Sequence, residues 1–297
     1  MQRASCVVLG VVVALSTTQA RTETMQWKQT LNLPKGMNLP KDVKADILGI
    51  EPGDTYAELK PKLEALLKES VRQLPPQRTR AQKRASEGMG NDDSPPMTEE
   101  STTLRFPTPG GVVELEPYAA VINLKRELPG TGKPTITDLL TIYLSGPASG
   151  HQVLGVVRVL SYNANEDQPR ISEIIPRLAE KYKSSPQTFT AGPGAIYRFQ
   201  FDNGRAIAPS GASATTCQPV YNIDKADYVP QINRDGTCDV VLSVSVYPGL
   251  TADHAKRIEF ALGDNERAKA NLTADFGFLD AYVRDMQGKA KGVAPKL

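Results

Sequence analysis

From about residue 104 the chain alternates apolar and polar residues with a period of two, and no other feature narrows its folding options as much. Across residues 239–247, Val240, Leu242, Val244 and Val246 fall on one side, and across 256–262 Ile258, Phe260 and Leu262 do the same. A strand sends successive side chains to opposite faces, so this period marks a sheet with one face on a core. Pro248-Gly249 between the two runs closes them into an antiparallel hairpin. Residues 136–144 and 152–162 form a second hairpin around the turn Gly146-Pro147-Ala148-Ser149-Gly150. Shorter strands are expected at 112–115 and 119–124, and another at 196–201, closed by the Asp202-Asn203-Gly204 turn. Helical spacing interrupts this pattern twice. Ile171, Ile174, Ile175, Leu178 and Tyr182 share one helical face, and a last helix, capped by Asp264, carries Leu272, Phe276, Leu279, Val283 and Met286. The expected class is α+β: an antiparallel sheet built from hairpins with helices packed on one face, plus a small N-terminal helical unit.

The chain divides by composition. Residues 1–20 have the form of a signal peptide: Arg3, an apolar run over 4–15, then Thr18-Gln19-Ala20 with small residues where cleavage after Ala20 requires them. Residues 21–74 hold an extended lead-in and a helix whose start is a capping box, Thr55 with Glu58. Residues 75–103 are rich in proline and in charge and poor in large apolar residues, which predicts a flexible linker or long surface loop, or a docking segment for a partner. Residues 104–297 are the main α+β domain.

Two prolines sit inside expected helices. Pro61 follows Thr55 by six positions, which predicts a kink or a separate first turn, and Pro176 follows a candidate N-cap, Ser172, by four. Both lie in the pattern Glu, aliphatic, any, Pro, basic, Leu, at 58–63 and 173–178. A duplicated helix-plus-sheet unit and coincidence both explain six matching positions.

Export bears on the cysteines. Cys6 lies in the leader, leaving Cys217 and Cys238, which an oxidising compartment joins as one disulfide. By the chain-entropy model such a loop contributes roughly 3 kcal/mol. A redox pair is the alternative, without a Cys-x-x-Cys to support it. With 35 basic and 33 acidic residues, the near-neutral charge gives no reason to expect nucleic acid as partner. The mature chain holds no second long apolar run, so no transmembrane span is expected.

Candidate chemistry is sparse. His151 and His254 are the only histidines. Ser149 and His151 share a turn and invite a serine-type hydrolase reading, although Ser149 stands one place late for a nucleophile elbow. Neither cofactor nor metal is expected: two distant histidines make no zinc set, and Asn233-Arg234-Asp235-Gly236 lacks the rest of a calcium loop. Gly130-Thr131-Gly132-Lys133-Pro134 lacks the glycine and hydroxyl residue of a phosphate loop. Tyr197, Phe199 and Phe201 alternate on one strand face, as core or as a ligand platform.

The stretch 48–58, Leu-Gly-Ile-Glu-Pro-Gly-Asp-Thr-Tyr-Ala-Glu, and residues 169–186 with Glu180-Lys181-Tyr182-Lys183 resemble exported proteins of proteobacteria. The first stretch is also similar to the helix start of BamE/SmpA-type outer-membrane assembly lipoproteins, though this chain has no lipobox. The resemblance implies a Gram-negative envelope setting and brings no catalytic residue. Together these features predict a periplasmic or secreted, non-enzymatic module that binds an envelope protein or a small ligand. The alternatives are the Ser149–His151 hydrolase and a ligand pocket lined by Tyr197, Phe199 and Phe201.

Overall fold

The computed structural model describes residues 21–71, 95–103, 105–108, 111–131, 136–192, 194–207, 217–219 and 238–289. The expected leader, most of the expected linker and the Asn233–Gly236 turn lie outside them. The described chain begins with strand β1 (Arg21–Met25) and helix α1 (Tyr56–Lys68). Strands β2 (Met97–Thr102), β3 (Arg105–Thr108), β4 (Gly111–Leu115), β5 (Tyr118–Leu128), β6 (Ile136–Leu144) and β7 (Val153–Tyr162) follow. Helix α2 (Ile171–Tyr182) precedes β8 (Gln187–Ala191), β9 (Gly194–Asp202), β10 (Arg205–Ala206), β11 (Val240–Pro248) and β12 (Ala255–Asp264). Helix α3 (Asn265–Lys289) comes last. Strands β1, β4 and β3 pair in a small sheet, so the extended lead-in supplies a strand. The other described strands form one antiparallel sheet in the order β10-β9-β11-β12-β7-β6-β5-β2, with β8 also on β9. The protein is α+β, as the alternation predicts.

Helices α1 and α2 cover one face of this sheet. Leu59, Leu63 and Leu66 of α1 share a cluster with Ile122, Leu140, Phe199 and Leu242 of the sheet, and Ile174 and Leu178 of α2 pack against it. Each fully buried leucine of this kind contributes roughly 1.5–3 kcal/mol. Helix α3 stands apart from that cluster; its main neighbour is the turn Pro147–Ser149.

Both internal prolines fall at the sixth residue of their helices, on the solvent side. Each removes a hydrogen bond to the carbonyl four residues back, on Ala57 and on Ser172. Both of those residues are exposed, so water reaches the freed carbonyls. The start of α1 is the expected capping box, with Glu58 N–H donating to Thr55 Oγ1 at 3.3 Å and Thr55 N–H to Glu58 Oε2 at 2.9 Å. The start of α2 corrects the expectation. Its N-cap is Arg170, and Ser172 is the second helical residue. The cap comes through space from Asp253: Ser172 N–H donates to Oδ1 at 2.9 Å and Ser172 Oγ to Oδ2 at 2.8 Å.

With that correction the two helices occupy equivalent places. Each is followed by a matching set of four strands of the main sheet, β2-β5-β6-β7 after α1 and β8-β9-β11-β12 after α2, the second set carrying the two-residue β10 in addition. Hairpin β6–β7 has a bulge after Tyr143, where Leu144 meets Val153, and hairpin β11–β12 has one after Tyr247, where Pro248 meets Ala255. An isolated bridge ties Thr55 to Gln152, just before β7, and another ties Arg170 to His254, just before β12. Tyr56 N–H donates to His151 O, and Ile171 N–H to Asp253 O. The halves meet at β7 and β12, whose register runs from Ser161↔Arg257 to Gly155↔Gly263. Exchanging the halves maps that register onto itself, with a pseudo-twofold axis at the pair Arg158↔Phe260. The six-position pattern around the prolines is therefore the visible part of a repeat carried by register.

Outside the repeat, Cys217 and Cys238 form the expected disulfide, with Cα atoms 6.0 Å apart. Both cysteines are buried against Val241, on the face of β11 opposite Leu242 and the main cluster. No helix among the described residues is long and apolar enough to cross a membrane.

Candidate functional site

The turn between β6 and β7 holds both residues of the hydrolase expectation and gives them different neighbours. Ser149 is fully buried. Its Oγ donates to Asp275 Oδ2 at 3.0 Å and its N–H donates to Oδ1 at 2.9 Å, while Gly146 N–H donates to Oδ2 at 2.7 Å. A Cβ at Gly146 would stand 2.7 Å from the Asp275 carboxyl carbon, which is why glycine is needed there. Burial pushes the Asp275 carboxyl up to about 6, against the pull of its three donors. Asp275 was missed by the sequence reading, because a lone acid on a helix carries no signal of what it meets.

His151 lies two residues on, but Gly150 and His151 both have positive φ, 92° and 51°, and the chain turns between them. The His151 Nε2 lies 2.7 Å from Ala119 O. A carbonyl only accepts, so Nε2 carries the proton. Burial holds this imidazole below its usual pKa, which favours the neutral ring. Ser149 and His151 do not form a nucleophile–base pair: the hydroxyl is buried on a carboxylate and the imidazole is spent on a backbone carbonyl. His254, the expected loop histidine, sits with Nδ1 at 2.7 Å from Thr251 Oγ1.

His151 belongs instead to a run of rings. It stacks on Tyr56 at 4.6 Å between centroids and meets Tyr118 edge-on at 5.8 Å. Tyr118 in turn meets Trp27 at 5.5 Å, and Trp27 stacks on Phe278 of α3 at 5.5 Å. Tyr56 Oη donates to Glu99 of β2 at 2.7 Å. These rings lie far apart in sequence, and they seal the lead-in and α3 onto the first half.

The expected platform of Tyr197, Phe199 and Phe201 divides. Phe199 and Phe201 are fully buried and pack against Tyr182, with ring centroids 5.3 Å and 6.5 Å away. They are core, and that part of the platform expectation is corrected. Tyr197, nearer the start of β9, is half-buried and lines a hollow of about 700 Å³ beside the start of α2. Ile171, Ile175, Ala195, Pro248 and Asp253 also line it. At its mouth the Asp253 carboxyl is held below its usual pKa, chiefly by the Ser172 N–H and hydroxyl. Apolar walls with a few polar groups at the rim are the usual make-up of a small-molecule or side-chain pocket.

A second hollow, of about 710 Å³, runs along α3 past Ala270, Ala274, Gly277 and Phe278, beside Thr30 and Leu31. Among the described residues no group of His, Cys, Asp or Glu side chains is placed to hold a metal ion. No family model matches the chain, and no curated protein and no solved structure matches it either.

Proposed function

We propose that this protein is an exported, non-enzymatic module that binds another component of the bacterial envelope. The observation that carries the reading is a broad sheet whose second face keeps apolar side chains in reach of solvent. On the face turned away from α1 and α2, Leu139 of β6, one of the few exposed large apolar residues among those described, stands opposite half-buried Val159 of β7 with half-buried Val157 beside it, and exposed Tyr247 lies on the same face of β11. Exposed apolar groups grouped on a rigid element mark interaction surfaces. The Cys217–Cys238 disulfide supports a compartment outside the cytoplasm, and the form of residues 1–20 agrees with it. Envelope placement also draws on the likeness of residues 48–58 to exported proteobacterial chains. The side chains that sequence alone offers for catalysis, Ser149 and His151, are engaged in holding the fold.

The test is cross-linking of the tagged protein in its native host, with mass spectrometry of what co-purifies from the envelope. A reproducible envelope partner is expected. A clean monomer free of cross-links would overturn the reading.

A further inference from the structure

The repeat lets one half of the molecule be compared with the other, place by place. Around the hollow beside α2, Ile171 and Ile175 stand where the first half has Tyr56 and Lys60. Ala195 stands where it has Ile122, Tyr197 where it has Leu124, and Asp253 where it has His151. In the first half this space is filled by the Tyr56 ring stacked on His151, over a fully buried Ile122. In the second half the exchange of a tyrosine for isoleucine and of an isoleucine for alanine leaves the hollow open.

We infer that this hollow is a docking site for a tyrosine or tryptophan side chain of a partner polypeptide, seated where the first half seats its own Tyr56. The inference rests on the binding-module reading and names the surface and the recognised group. The first half shows directly that a flat ring fits between the start of such a helix and such a sheet. The mouth supplies polar partners: the Asp253 oxygens accept from Ser172, and a carboxylate has lone pairs left for a phenol O–H or an indole N–H. The rim points to a polypeptide as the source of the ring. Pro248 lines the hollow, and Leu250, two residues further along the chain, is 60 % exposed. A ring anchored in a pocket and surrounded by apolar contacts is the usual energetic centre of a protein interface.

The probe is N-acetyl-tyrosinamide, titrated into the full mature chain labelled with nitrogen-15, with N-acetyl-leucinamide as control. Shifts are expected at the amides of Ala195, Tyr197, Ala252 and Asp253 with the tyrosine probe and not with the leucine one. Ala195→Ile, which copies the first half, is expected to weaken the effect at least tenfold with the rest of the spectrum unchanged. Absent shifts, shifts elsewhere, or full binding by folded Ala195→Ile would overturn the inference. Should Ala195→Ile not fold, the exposed substitution Leu250→Ser takes its place in the host cross-linking experiment, where loss of the partner is expected. A partner captured equally by wild type, Ala195→Ile and Leu250→Ser would remove the hollow from the interface and leave the module reading standing. If the wild type itself captures nothing, the module reading falls and the titration alone decides the hollow. A concentration-dependent dimer abolished by Ala195→Ile would identify the occupant as a second copy and overturn the choice of partner.

Discussion

Asp138 is buried on the helix-facing side of β6 and accepts from two guanidinium groups. Arg126 Nε reaches its Oδ2 at 2.9 Å and Arg158 Nε its Oδ1 at 2.9 Å, while Arg126 Nη1 also reaches Glu69 at 2.8 Å and Leu66 O at 3.2 Å. The repeat places Phe199, Leu242 and Phe260 at the same three positions of the second half, so one backbone accepts both an ionic and an apolar solution. Removing one member of a buried ion set strands the others without compensation, whereas replacing the whole set by apolar residues avoids the desolvation cost. Asp138→Ala is therefore expected to cost roughly 3–5 kcal/mol. The triple change Arg126→Phe, Asp138→Leu, Arg158→Phe is expected to be neutral or stabilising by roughly 1–4 kcal/mol. Urea denaturation of both variants measures this, and a triple variant as damaged as the single one would refute it. Sequence hid this cluster because Arg126 and Asp138 occupy inward places where alternation predicts apolar residues. It also hid the difference between Tyr197 and Phe199, which share a strand face and differ only in how far along β9 the helix cover extends.

Among the elements, α3 is tied on by a titratable latch, Asp275 in the Pro147–Ser149 turn. Its carboxyl titrates at about 6 in the folded protein and near 3.8 when unfolded. Between those values the folded state binds the proton more tightly, so this group's contribution to stability is fully present below about pH 4 and is lost as pH rises through about 6. A shift of this size corresponds to roughly 2–3 kcal/mol. Asp275→Asn removes the titration, so the gap in stability between wild type and variant should be wider at pH 4 than at pH 7. Asp264 titrates at about 6 for the same reason, burial, but it is present in both proteins and cancels. Thermal unfolding of the pair at the two pH values tests this, and a gap that is constant or grows with pH would refute it. Elements that announce themselves locally were legible: the strands by alternation and α1 by its capping box; the disulfide was legible from the cysteine count with the expected leader. Caps supplied from afar were not. Asp253 on the β11–β12 loop and Asp275 on α3 satisfy backbone groups distant in sequence, and no local pattern records either bond.

At the scale of the whole molecule, the question is whether the two halves are one folding unit. The repeat gives each half a helix and four strands, a set that elsewhere in proteins suffices for a small domain. Two features argue against independence here. The halves share the full β7–β12 ladder, so separating them would expose the unpaired edges of two long, central strands. They also share one apolar cluster, which runs from Leu59 and Ile122 in the first half to Phe199 and Leu262 in the second. Arg158 of the first half faces Phe260 of the second at the pseudo-axis, so even the ion cluster reaches the seam. Loss of either half would therefore strand apolar surface and backbone donors of the other, and an intermediate with one half folded should not be populated. Calorimetry of the oxidised chain is expected to give a single transition whose calorimetric and van't Hoff enthalpies agree. Two resolved transitions, or a van't Hoff enthalpy near half the calorimetric one, would mean that the β7–β12 seam yields before the halves do, and that the duplication persists as two domains.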